Sequence, residues 1–217
     1  MVLHSLPELD NFDAVIFDLG EVIIDLDPAA VVEKFSAHLD PKRKGVVSEL
    51  IVKSNALYEF ETGKMDEETF ISNVNDVLDI NLDREEFISI WNSMLLPIKE
   101  ERIQMLENLK KSHRVFFLSN TNQIHQGKFD EMIREAGTYE KLSEVVEEAI
   151  YSHVVGMRKP EKEIYTYIID VIGTNPEKVL FLDDKEENIV AASQMGINGM
   201  IVRNASALPE MFEERIV

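Results

Sequence analysis

The strongest constraint on the fold of this chain is a set of short, unbroken apolar runs, each leading into polar residues. The clearest is Ala14-Val15-Ile16-Phe17, which leads into Asp18-Leu19-Gly20. Val115-Phe116-Phe117-Leu118 leads into Ser119-Asn120, and Val179-Leu180-Phe181-Leu182 leads into Asp183-Asp184. Weaker runs lie at Ala149-Ile150-Tyr151 and Met200-Ile201-Val202. A strand with one wet face alternates apolar and polar residues, whereas a strand buried on both faces need not. In an open parallel sheet ligands bind beyond the carboxyl ends of the strands. Asp18, Ser119, Asn120, Asp183 and Asp184, far apart in sequence, are therefore expected to meet at one place.

Amphipathic helical stretches separate the later runs, which implies repeated βα units with right-handed crossovers. The expected fold is α/β: a Rossmann-like parallel sheet in a three-layer α/β/α core. The stretch from Pro28 to Pro97 differs, because it holds no strand-like run and several helix starts. Asp27 is placed to cap a helix with Pro28 at its first position. Asp66 and Asp83 each precede acidic first-turn residues. Phe70, Val74, Val77 and Leu78 recur at helical spacing, as do Phe87, Ile90, Trp91 and Met94. About four helices are expected, forming a small bundle inserted after the first long strand. The domains are then 1–27 with 98–217 for the core, and 28–97 for the insert, with hinges near Pro28 and Pro97. The acidic runs Glu144–Glu148 and Glu210–Glu214 are expected on solvated helical faces.

Composition narrows the partners. Lys and Arg number 22 against 41 Asp and Glu, a formal charge of −19. Such a chain is repelled by nucleic acid and by anionic membrane surfaces. It has no cysteine, which excludes disulfides, thiolate metal sites and a Cys nucleophile. No apolar run approaches the roughly 20 residues needed to span a bilayer. Met1 to Asn11 lacks the basic and apolar regions of a secretory leader, so a cytoplasmic location is expected. The oligomeric state expected is a monomer or weak homodimer.

A fourth polar element, Gly156-Met157-Arg158-Lys159-Pro160-Glu161, brings a lysine into a loop before a helix. With it, four motifs stand in order: Val15-Ile16-Phe17-Asp18-Leu19-Gly20, Phe117-Leu118-Ser119-Asn120-Thr121-Asn122, Met157-Arg158-Lys159-Pro160-Glu161, and Phe181-Leu182-Asp183-Asp184 followed by Asn188. This ordered set resembles the haloacid-dehalogenase (HAD) superfamily of hydrolases, and the inserted helices resemble its type-one cap. Asp18-Leu19-Gly20, the Ser119 to Asn122 segment, His125 and Gly156 to Pro160 together look like the bacterial sugar-phosphate phosphatase branch, which includes the α-glucose-1-phosphate phosphatases.

The resemblance implies a phosphoric monoester hydrolase that uses Mg²⁺ on a small phosphorylated metabolite, plausibly a sugar phosphate. Asp18 is then the nucleophile, Lys159 neutralises phosphoryl oxygens and Ser119 hydrogen-bonds one of them. Asp18, Asp184 and the Gly20 carbonyl are the metal ligands, with Asp183 as an additional or supporting one and Asn188 orienting Asp184. Asn120, Asn122, Arg158 and His125 are the candidates for substrate contact. Trp91 and Phe87 are expected in the core of the insert. Glu59, Glu61 and Lys64, around the Thr62-Gly63 turn, are its candidate inward-facing side chains.

One position departs from the pattern. Phosphatases of the superfamily usually place a second Asp two residues after the nucleophile, to protonate the leaving oxygen and then activate water. Here that residue is Gly20. Proton transfer of this kind contributes about 10²–10⁴-fold. An anomeric leaving group would need less help, and that explanation is preferred. Otherwise Asp25, Asp27 or His125 could substitute. The remaining alternatives are a 2-haloacid dehalogenase and a non-catalytic phospho-acceptor or binding module.

Overall fold

The computed structural model describes residues 1–3, 5–40, 47, 55–137 and 139–215. Its centre is a six-stranded parallel sheet of β1 (Val2–Leu3), β2 (Ala14–Phe17), β3 (Arg114–Ser119), β4 (Glu148–Tyr151), β5 (Val179–Asp183) and β6 (Asn198–Ile201), in the order β1-β6-β5-β2-β3-β4. Each of the five apolar runs falls in a strand, apart from Val202, which lies just past the end of β6. The edge strand β1 is the addition. Its two residues are too short to form a run, and its pairing with Gly199 and Met200 of β6 defines it.

Alternate residues of the runs enter opposite faces. Val15, Phe17, Val115, Phe117, Leu180 and Leu182 are buried beneath α5 (Glu100–Leu109), α6 (Gln123–Glu135) and α10 (Leu208–Glu213). Ile16, Phe116, Leu118 and Phe181 are buried beneath α8 (Lys162–Ile172) and α9 (Glu186–Gln194). Both faces are covered, which is why these strands read as unbroken apolar sequence.

The central strand β2 sets the level of the polar strand ends. Phe17 pairs in register with Phe117 on one side and with Leu182 on the other. The Asp18 N–H donates to the Leu182 carbonyl at 2.9 Å. Asp18, Ser119 and Asp183 are thus delivered to one rim of the sheet.

Between β2 and α5 the described residues form α1 (Pro28–Ala37), α2 (Asn55–Glu61), α3 (Glu67–Leu78) and α4 (Arg84–Asn92). Asp27, Asp66 and Asp83 cap α1, α3 and α4 through their side chains. Phe35, Phe60, Phe70, Phe87 and Trp91 make a separate core for these helices, joined by Ile124 of α6. The Phe60 and Phe70 rings stack with centroids 4.1 Å apart. The two chain segments entering and leaving the helices run side by side. Asp27 N–H donates to the Met94 carbonyl (2.7 Å) and Leu96 N–H to the Asp25 carbonyl (3.0 Å). Arg102 and Lys99 of the α5 start grip the Asp25 carboxylate at 2.6 and 2.9 Å.

The acidic stretch Glu144–Glu148 does not form the helical face expected for it. Leu142–Val145 is a short 3₁₀ turn, Glu148 opens β4, and Glu147 pairs with Arg114 at the foot of β3. The second run, Glu210–Glu214, does fall on the α10 helix and its cap.

Helix α2 ends against the core. Gly63 N–H donates to the Phe60 carbonyl and Lys64 N–H to the Glu59 carbonyl, the paired bonds of a Schellman stop with glycine in the left-handed region (φ +66°). A Cβ at Gly63 would sit 2.2 Å from the carbonyl oxygen of His153, in the short helix α7 (Ser152–Val155). Gly63→Ala combines a strained φ with a backbone clash, so we expect a loss of about 1–3 kcal/mol. Urea unfolding at constant slope measures it, and parental stability in the variant would contradict the close approach of α2 to α7.

Candidate active site

The residues at the sheet rim are held by a network centred on Lys159. Its ammonium, 1 % exposed, lies 2.9 Å from Asp18 Oδ1 and 2.7 Å from Asp183 Oδ2. Burial alone would lower the Lys159 pKa, but the Asp18 and Asp183 carboxylates outweigh it and hold the ammonium charged. Burial pushes the Asp18 carboxyl up to about 7, with Lys159 opposing and Asp183 adding to the rise. Leu19 N–H donates to Asp18 Oδ1 at 2.7 Å and fixes its rotamer. Asp184 is half-buried, and burial together with Asp183 raises its carboxyl too. Asp18, Asp183 and Asp184 place ligand oxygens within 4.8 Å of one another, a grouping that could hold a metal ion. Three carboxylates against one ammonium leave this rim short of positive charge.

Ser119 ends β3, buried, and lines a cavity of about 230 Å³ together with Leu19, Gly20 and Asn120. The inserted helices supply the opposite wall through Leu57, Glu61, Trp91 and Met94. The structure brings Asp18, Ser119, Lys159, Asp183 and Asp184 to one rim, and gives several of the other expected residues partners within the protein. Asn188 does not orient Asp184. Its amide donates to both oxygens of Asp183, at 2.9 and 3.0 Å, because the first turn of α9 folds back over β5. Asn120, expected at the substrate, spends its amide on the protein: it accepts from Lys159 N–H and donates to the Lys159 carbonyl, both at 2.8 Å. That pair of bonds fixes the loop that carries the lysine. Asn122, likewise expected at the substrate, caps α6 by accepting from His125 N–H at 3.0 Å. Arg158 is paired with Glu61 at 3.1 Å and lies over the Tyr58 ring. Tyr58 O–H in turn donates to Glu161 Oε1 at 3.0 Å. Of the three candidates around the Thr62-Gly63 turn, Glu61 lines the cavity.

His125 is stacked on Trp91, with ring centroids 5.6 Å apart and planes 13° from parallel. Its Nε2 meets the Trp91 carbonyl at 3.2 Å and its Nδ1 meets the Asn122 amide nitrogen at 3.2 Å. A carbonyl can only accept and an amide N–H only donate, so the ring is neutral with its proton on Nε2. Burial lowers its pKa to about 4. His125 is therefore no proton donor at neutral pH. Asp25 is no better, because Lys99 and Arg102 outweigh burial and hold its carboxyl below the usual range. Asp27 is an exposed helix cap. All three substitutes named for the acid missing at position 20 are otherwise engaged.

Comparison with known proteins agrees with this geometry. The family model for haloacid dehalogenase-like hydrolases matches residues 12–196. A D-ribitol-5-phosphate phosphatase of Bacteroides thetaiotaomicron is 25% identical over 183 residues, covering 84% of this chain and 87% of its own. A HAD-family enzyme of the same organism, solved with magnesium and inorganic phosphate, superposes with a TM-score of 0.78 at 24% identity, covering 88% of this chain and 94% of its own. A predicted HAD-like hydrolase of Porphyromonas gingivalis superposes with a TM-score of 0.83 at 23% identity, covering 94% and 97%.

The buried neutral imidazole has a consequence for stability. The unfolded chain takes up a proton near 6.5 that the folded protein accepts only near 4. Its contribution is therefore full above about pH 6.5 and lost as the pH falls through that window. At pH 5 the loss is about 2 kcal/mol. The stability difference between the parent and His125→Gln should shrink by that amount between pH 7 and pH 5, as read by denaturant midpoints. A difference that does not change with pH would place a charged imidazole in the fold.

Proposed function

Because the chain belongs to the haloacid dehalogenase-like hydrolase family, we propose that it is a Mg²⁺-dependent phosphatase of a small phosphorylated metabolite, a sugar or polyol phosphate, acting through an aspartyl-phosphate on Asp18. The observation that carries this is the Lys159 ammonium seated between Asp18 and Asp183, with Asp184 beside them. A carboxylate that attacks a phosphate dianion must overcome charge repulsion, and this rim concentrates the groups that manage it.

The donor set suits Mg²⁺. It consists of hard carboxylate oxygens, largely buried and in excess over the one ammonium, and contains no sulfur or imidazole. Asp18, Asp184 and the Gly20 carbonyl would hold the ion, while Asp183 is kept in place by Lys159, Asn188 and the Lys185 N–H. When bound, Mg²⁺ supplies the positive charge that brings phosphate up to Asp18. Lys159 and the Ser119 hydroxyl take the remaining phosphoryl oxygens. Leu19 N–H keeps Asp18 aimed at the phosphorus. The inserted helices act as a lid over the cavity, excluding water while Asp18 is phosphorylated. The phosphatase reading of the relative from Bacteroides thetaiotaomicron supports a polyol or sugar phosphate as substrate.

Halide displacement needs no such acidic trio, and a phospho-acceptor module needs no enclosed leaving-group cavity. Both weigh against the alternatives. A panel of phosphorylated sugars and polyols should release phosphate with Mg²⁺, lose at least about 10²-fold with chelator, and show no turnover in Asp18→Asn. Undiminished release by Asp18→Asn would remove the nucleophile assignment. Metal-independent halide release in the absence of phosphate release would select the dehalogenase.

A further inference from the structure

Among the described residues, the three core candidates for the proton transfer vacated at position 20, Asp25, Asp27 and His125, are otherwise engaged. Gly20 is not simply an empty place. A Cβ there would meet Leu26 Cδ1 at 3.0 Å, so Leu26 has filled the space that an acidic side chain would occupy. Leu26, Gly20 and Glu61, the last from the inserted helix α2, line the same cavity. Glu61 is the last helical residue before the Schellman stop at Gly63, which fixes the direction of that turn against the core.

We propose that Glu61 is the acid–base residue of the reaction, shuttling the proton between leaving group and water from the inserted helix. The inference rests on the aspartyl-phosphate reading above. In the first step Asp18 bonds to phosphorus as the ester P–O bond breaks. The proton of Glu61 passes to the departing oxygen, leaving a neutral alcohol, phospho-Asp18 and a Glu61 carboxylate. In the second step water bonds to phosphorus as the acyl P–O bond breaks. Its proton returns to Glu61, inorganic phosphate leaves, and the Asp18 carboxylate is restored.

The surroundings of Glu61 suit both halves of the cycle. Burial raises its carboxyl and favours the protonated form that must be present first. The charged groups facing it are Arg158 from the lysine loop at 3.1 Å, Lys185 from the start of α9, and Lys159, and all three favour the carboxylate left after the first step. Its Oε2 is buried and held only by the Arg158 ion pair at 3.1 Å, with no aligned hydrogen bond to the protein. His125, in the same cavity, is neutral and does not compete for the proton. Glu61 lies on the helix α2 that contacts the lysine loop through the Arg158–Glu61 and Tyr58–Glu161 pairs.

The test compares leaving groups in Glu61→Gln with Mg²⁺ present. On the alkyl or sugar phosphate that the parent turns over best, kcat should fall about 10²–10⁴-fold. With p-nitrophenyl phosphate, whose phenolate leaves without a proton, the burst of product should keep its parental rate. Steady turnover should then slow, and the phosphoryl adduct should accumulate on intact-mass spectrometry. Glu61→Asp, which keeps a carboxylate, should recover part of the alkyl activity. Equal losses on both substrates, or a change confined to KM, would overturn the proton role and make Glu61 a positioning or specificity residue. Asp18→Asn separates the two ideas: undiminished turnover in that variant would sink the aspartyl-phosphate reading, whatever Glu61 does.

Discussion

Everything at the sheet rim depends on one buried cation. The Lys159 ammonium sits where water barely reaches, between the buried carboxylates of Asp18 and Asp183. Removing one partner from such an arrangement typically costs about 3–5 kcal/mol, because it strands uncompensated charge. The rest of the rim can be understood as support for this contact. Asn120 pins the Lys159 backbone from β3, Asn188 pins Asp183 from α9, and Ser152 ties the Thr121 backbone to the end of β4 at 2.9 and 3.0 Å. Three strand ends and a loop are thereby fixed to one point. That rigidity is what allows a carboxylate to be presented for attack at a defined angle.

The acidity of the chain acquires a local meaning in this light. A formal charge of −19 suits a protein that does not bind polyanions, yet the proposed substrate is itself an anion. The acids lie mostly on the surface, while Lys159, Arg158 and Lys185 gather near the cavity. Low dielectric strengthens their field over short distances, and salt screens the distant surface charge.

Much of this was legible in the sequence where a single residue type admits one physical explanation. Unbroken runs such as Val179–Leu182 suit strands buried on both faces, and Asp27, Asp66 and Asp83 before helical periodicity could be read as caps. The meeting of Asp18, Ser119 and Asp183 was legible because strand ends converge in a parallel sheet, whereas Lys159, in a loop, joined them in the sequence reading only through the family resemblance. The short polar residues were not legible. Asn120 and Asn122 line the cavity, yet the fold also gives them Lys159 and His125 as partners, and it gives Asn188 Asp183 rather than Asp184. An amide can donate or accept almost anywhere, so tertiary geometry alone decides its partner. His125 and Asp25 failed as acid candidates for the same reason: a stacked ring and two flanking cations set their protonation, and neither is visible as a local pattern. Glu61 stood out in sequence only through the glycine turn beside it.

The two segments that lead into and out of the inserted helices are hydrogen-bonded to each other, Asp27 to Met94 and Leu96 to Asp25. The helices therefore leave and rejoin the core through a single seam, and their whole length is a loop whose ends are already closed. This makes the insert exchangeable in principle: a different bundle sewn to the same seam would alter what the cavity admits while leaving Lys159 and its carboxylates untouched. If the proton carrier resides on that bundle, exchanging it would replace the chemistry of the leaving group along with its recognition.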